Sequence, residues 1–118
     1  MHELSLAQAL MSKIEELATQ HGFAKVRRVV VEIGAFSNVV PELFESAFEA
    51  VKAGSCASEA ELVIEDKRGV LVCEACGHTY YPDIPIALCP NCGELAGHIE
   101  QGREFILKSL EVDDDDED

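Results

Sequence analysis

The sequence predicts an α+β fold: two helices on a small mixed three-stranded sheet, with a four-cysteine lobe inserted into it. Two apolar stripes at helical spacing, three β-branched runs, and two C-x2-C pairs lying between the last two of those runs carry the prediction.

The first helix is read from Leu4, Ala7, Leu10, Met11, Ile14, Leu17 and Ala18, with Gln8, Lys13, Glu15, Glu16 and Gln20 on the opposite face. His21-Gly22 closes it, because glycine accepts a left-handed C-terminal stop and histidine suits the negative end of the helix dipole. KVRRVVVEI at 25–33 is the first strand, with Val29, Val31 and Ile33 on one face and Arg28, Val30 and Glu32 on the other. GAFSNV is a turn. Pro41-Glu42 then starts a second helix, since proline fits the first turn and a carboxylate there suits the dipole. Leu43, Phe44, Ala47, Phe48 and Val51 form its apolar stripe, and Gly54 ends it.

After the loop SCASEAE, ELVIED at 61–66 reads as a second strand, and REFILKSLEV at 103–112 as a further one. If that last strand joins the sheet, the cysteine segment is an insertion and not a tail. The expected division is therefore residues 1–68 plus 103–112 as one lobe, 69–102 as a second, and 113–118, DDDDED, as a self-repelling disordered tail.

A chain of 118 residues holds one domain with a modest core and at most a satellite that needs help to fold. The net charge of −14 is spread along the chain and concentrated in the tail, so it repels phosphate backbones and favours basic or metal-cation partners. Nucleic acid and membrane partners are excluded on this reading. No run is long enough to span a bilayer, and the early Glu3, Glu15 and Glu16 do not suit a signal peptide, so a cytoplasmic location is expected.

The second lobe carries Cys73-x2-Cys76-x12-Cys89-x2-Cys92, with Gly77 and Gly93 directly after each pair, where such turns need positive φ. Four thiolates around one ion make a structural zinc site, a zinc-ribbon lobe with no open coordination position. Iron, a redox dithiol and a disulfide are the rivals. The redox reading lacks a helical run behind either pair. Cys56 falls outside the pattern as a small, partly buried residue, and His78 and His98, which follow the first and second knuckles, are read as polar residues at the surface or beside the metal ligands and not as ligands.

Met1-His2-Glu3 offers an amine, amide nitrogens, an imidazole and a carboxylate. Amine, amides and imidazole can close a square plane, which suits Ni(II) or Cu(II) and not Zn(II), while the Glu3 carboxylate could supply oxygen in a looser arrangement. A solvated His2 and a Glu3 favouring the positive end of the first helix explain the same letters. No combination of nucleophile, base and orienting group suggests an enzyme.

Taken together, the initiating MHE, the first helix, the VxxVxxxIG strand and turn, PELFxxAF, the two cysteine knuckles and GREFILKSLEV resemble the HypA/HybF family of hydrogenase maturation nickel chaperones, from Met1 to about Val112. The resemblance implies Ni(II) at Met1, His2 and Glu3, and Zn(II) at Cys73, Cys76, Cys89 and Cys92. It implies nickel delivery to the large subunit precursor of a [NiFe]-hydrogenase with a HypB-type GTPase, and in some organisms a part in urease maturation. The other reading is a zinc-ribbon protein-interaction adaptor without nickel transfer.

Overall fold

The computed structural model describes residues 2–113, so the terminal methionine and the tail from 114 onward lie outside the described residues. In chain order the elements are helix α1 (His2–His21), strand β1 (Val26–Gly34), helix α2 (Pro41–Val51), and strands β2 (Glu61–Lys67), β3 (Val70–Cys73), β4 (Thr79–Tyr80), β5 (Gly97–Gln101) and β6 (Phe105–Val112). They form two three-stranded sheets, ordered β2-β1-β6 and β4-β3-β5. The fold is α+β. Because β6 pairs with β1, the cysteine segment is an insertion between strands of the first sheet.

Two compact units divide the described chain: 2–31, 39–64 and 107–113 form one, and Glu32–Asn38 with Glu65–Ile106 the other.

In the first unit, α1 stops where Gly22, at φ 76°, donates its N–H to the Ala18 carbonyl at 2.8 Å. The buried line of α1 is Glu3, Ala7, Leu10, Met11 and Ile14. Leu4, expected in that stripe, is 44 % exposed, and the neighbouring carboxylate takes the inward position. In α2 the four-residue spacing of Phe44 and Phe48 sets the buried face, their rings 6.4 Å apart, and leaves Leu43 exposed one position round the helix. Strand β1 is the central strand, and Arg28 on it reaches Glu61 of β2 at 3.4 Å and Glu111 of β6 at 3.2 Å. These pairs are solvated and add little stability, but they match the charge pattern to the strand order.

In the second unit β3 pairs antiparallel with both neighbours, so Leu71 stands opposite Tyr80 on one side and Ile99 on the other. Leu71, Cys73, Tyr80 and Cys89 form a small buried cluster against which Phe36, Ala96 and Ile99 pack. Phe36 comes from the turn after β1. Its N–H donates to the Gly102 carbonyl at 2.7 Å, and a Cβ at Gly69 or Gly102 would overlap its ring. Those two glycines are therefore a seat for one aromatic side chain.

Candidate metal centres

The four paired cysteines converge. Cys73 closes β3, and the chain turns back into β4 through a knuckle in which the Gly77 N–H donates to the Cys73 carbonyl at 2.8 Å. The second knuckle repeats this, with the Gly93 N–H on the Cys89 carbonyl at 2.9 Å. Gly77 and Gly93 have φ of 81° and 80°, with nothing within 4 Å of a Cβ built on either, so backbone conformation and not space demands glycine there. Each turn also aims an amide at its first sulfur, Ala75 N–H to Cys73 Sγ at 3.4 Å and Asn91 N–H to Cys89 Sγ at 3.3 Å.

All four sulfurs lie within 4.8 Å of one another, with Cys73–Cys92 and Cys76–Cys89 at 3.7 Å. A tetrahedron with metal–sulfur bonds of about 2.3 Å has edges of about 3.8 Å, so the cage has the size of a four-thiolate metal site. The same separations are far too long for a disulfide at about 2.05 Å, and all four cysteines are free thiols. Cys73 and Cys89 are buried, and Cys76 and Cys92 are exposed, so one pair anchors the cage in the cluster while the other faces outward.

Electrostatics separate the two outer sulfurs. The Asn91 side-chain amide, 3.6 Å from Cys76 Sγ, and the His78 amide draw the Cys76 thiol down to about 7. For Cys92 the Glu94 amide pulls down, but the partial desolvation of its sulfur among its neighbours together with sulfurs 73, 76 and 89 outweighs it, and the thiol is pushed up to about 12 although the residue as a whole is exposed. Four sulfurs this close cannot all ionise without a cation among them.

The side chains of the remaining candidates are not among the four clustered ligands. His78 stacks on Tyr80 with ring centroids 6.2 Å apart. His98 is held by two different carboxylates, Nδ1 to Glu74 at 3.0 Å and Nε2 to Glu100 at 3.3 Å. Cys56 is half-buried beside the Glu15 carboxylate, and burial first, then that charge, pushes its thiol up.

At the other end of the chain, the His2 imidazole is exposed at the start of α1, with Nδ1 3.9 Å from Glu3 Oε2. Met1 lies outside the described residues. The Glu3 carboxylate turns inward and accepts the Val40 N–H at 3.1 Å, where α2 begins with no side-chain cap from Val40 itself. That hydrogen bond, then one from its own N–H, holds the Glu3 carboxyl below the usual carboxylate range. Sequence reasoning missed this contact, as it missed Asn91 and Phe36. The asparagine inside CPNC was the only legible sign among them.

Fold and site together define a small α+β protein with a preformed four-thiolate cage in an inserted lobe and a histidine at the start of its first helix. The family model described as "Hydrogenase/urease nickel incorporation, metallochaperone, hypA" matches residues 1–112. The chain is 40 % identical over 115 residues to the hydrogenase maturation factor HypA of Aquifex aeolicus, with 98 % of this chain and 100 % of the relative covered. It is 41 % identical over 117 residues to that of Solidesulfovibrio magneticus, with 96 % and 100 % covered. The solution structure of the Ni metallochaperone HypA from Helicobacter pylori is similar at a TM-score of 0.67 and 36 % identity, over 93 % of this chain and 96 % of that one. This chain belongs to the HypA family.

Proposed function

We propose that this protein is a nickel metallochaperone that binds Ni(II) at its N-terminus and delivers it during [NiFe]-hydrogenase maturation. The observation that carries the reading is the family match, which takes in Met1, His2 and Glu3 as well as all four cage cysteines. The terminal amine, the amide nitrogens of His2 and Glu3 and the His2 imidazole are the nickel ligands. The first N–H groups of a helix lack backbone acceptors within it, so losing the amide protons of His2 and Glu3 breaks no backbone–backbone bond of α1 and gives up only the bond from the Glu3 N–H to its own carboxylate. Glu3 then acts through its amide nitrogen, because its carboxylate is engaged at Val40.

Nickel belongs to the lobe of residues 1–68 plus 103–112, and zinc, closed in by Cys73, Cys76, Cys89 and Cys92, to residues 69–102. The exposed terminal site exchanges its ion while the cage keeps its own. The protein is a carrier and not an enzyme, works in the cytoplasm, and takes as partners a HypB-type GTPase, a hydrogenase large subunit precursor and, in some organisms, urease maturation proteins. Among the described residues, no helix is long and apolar enough to cross a membrane. Nickel binding releases the protons of its nitrogen ligands and therefore weakens in acid.

The test is an Ni(II) titration of zinc-loaded, untagged protein beside a version with one residue added ahead of Met1. Loss of the site in the extended version at fixed zinc content supports the reading. Equal binding in both moves nickel elsewhere, and binding in neither leaves a zinc-ribbon adaptor.

A further inference from the structure

Five of the nine large apolar side chains exposed among the described residues fall between 81 and 95: Tyr81, Ile84, Ile86, Leu88 and Leu95. An open depression of about 330 Å³ lies among them, lined by Tyr80, Tyr81, Pro82, Ile86, Leu88 and Pro90. Leu88 and Leu95 form an isolated antiparallel bridge flanking the second knuckle, which sets their side chains on one face and extends the apolar surface past the depression. Leu95 is 78 % exposed, the most of any large apolar residue described. A concentration of this kind marks a binding surface more often than chance.

The segment that carries it is acidic, with Asp83 and Glu94 directly beside its apolar residues in the chain. Residues 69–102 contain Glu74, Asp83, Glu94 and Glu100 and no lysine or arginine. The neighbouring Arg68 has its guanidinium carbon 4.0 Å from the Tyr81 ring centroid, one cation against the four carboxylates of the segment. The sign eliminates most occupants. Nucleic acid and anionic lipid are repelled, a second copy would bring the same four carboxylates against these, and the chain's own DDDDED segment is acidic.

We propose that the Tyr81–Ile86–Leu88–Leu95 surface of the cysteine lobe docks a partner protein through a segment of apolar side chains flanked by lysine or arginine. The apolar centre supplies the contact area, and the carboxylates steer the basic flanks and select against acidic surfaces. This surface uses none of the residues proposed as nickel ligands, so its failure and theirs are read independently.

The test uses the full zinc-loaded chain and a synthetic peptide whose core of leucine, isoleucine and proline has two lysines on each side. NMR titration is expected to shift signals of Tyr81, Ile86 and Leu88, and added salt to weaken the binding. The same core flanked by glutamates is expected to bind about tenfold or more weakly. Leu88→Ser and Leu95→Ser are each expected to weaken the lysine peptide by about tenfold, with zinc content and Ni(II) binding unchanged. Leu95 is so exposed that its replacement is expected to leave the fold intact, checked by an unchanged Tm. Shifts confined to other residues, equal affinity for the two peptides, or no binding of the lysine peptide would overturn the proposal.

Discussion

The Glu3 carboxylate accepts the Val40 N–H at 3.1 Å, so a side chain in the first turn of α1 closes the open end of α2 from 37 residues away. A carboxylate is the right group there, because the first amides of a helix lack acceptors and its N-terminus is the positive end of the dipole. The same residue thus joins the two helices and follows the exposed His2 at the candidate nickel terminus. These roles use different atoms and can be separated. Glu3→Ala is expected to lower Tm by several degrees while Ni(II) still binds, whereas Glu3→Gln, which keeps a carbonyl acceptor, loses less. Thermal melts and nickel titrations on the same samples check this. Unchanged Tm with lost nickel would make the carboxylate a metal ligand.

The same contact gives a pH dependence of known sign. The Glu3 carboxyl is held below its ordinary range in the folded chain, first by the Val40 N–H. Its contribution is therefore fully present above the unfolded value of about 4.3 and is lost as pH falls through the lower folded value. Glutamine at this position cannot titrate. The Tm difference between the wild type and Glu3→Gln is expected to be constant near neutral pH and to shrink toward zero on acidification. A difference that grows in acid would show the opposite shift.

The buried position of Glu3 also marks where sequence reading ran short. Residues 3 and 4 are both near the line through Ala7, Leu10 and Ile14, and hydrophobicity alone prefers Leu4. The Val40 amide decides for Glu3, and a partner that far along the chain leaves no local trace. The helices, β1 and the return of β6 to its side were legible because each has a period of its own. Strands β3, β4 and β5, of 4, 2 and 5 residues, were not, being too short and too interrupted by knuckles to show alternation. The cage was legible for a different reason. Ligand spacing and the glycines after each pair are fixed by turn geometry, and both glycines take the positive φ expected of them.

Phe36 offers a third prediction. Its ring occupies the space a side chain would need at Gly69 and Gly102. Gly69→Ala forces the ring or the backbone aside and is expected to cost about 1–3 kcal/mol, the usual range for overpacking. Phe36→Leu in the same chain frees room, so the double variant is expected to lose less than the two single losses added. Urea unfolding measures all three. Strict additivity would mean that ring and glycine do not meet.

The cage carries the last prediction. Burying Cys73 and Cys89 in a cluster as small as Leu71 and Tyr80 provide leaves the lobe short of apolar core, and a metal bridging the knuckles replaces what is missing. Chelation is therefore expected to remove one zinc per chain and to collapse the NMR dispersion of residues 70–101 while α1 and α2 keep their helical signal. Cys73→Ser and Cys76→Ser are both expected to abolish zinc retention, although only the first sulfur is buried. Gly93→Ala keeps every sulfur but places a Cβ at φ 80°, a strain of about 1–2 kcal/mol. If that strain is borne in the metal-bound turn, zinc affinity falls by about tenfold or somewhat more. Competition with a chromophoric chelator reads the change. Full retention of zinc by Cys76→Ser would show that the ion needs only three of the four sulfurs.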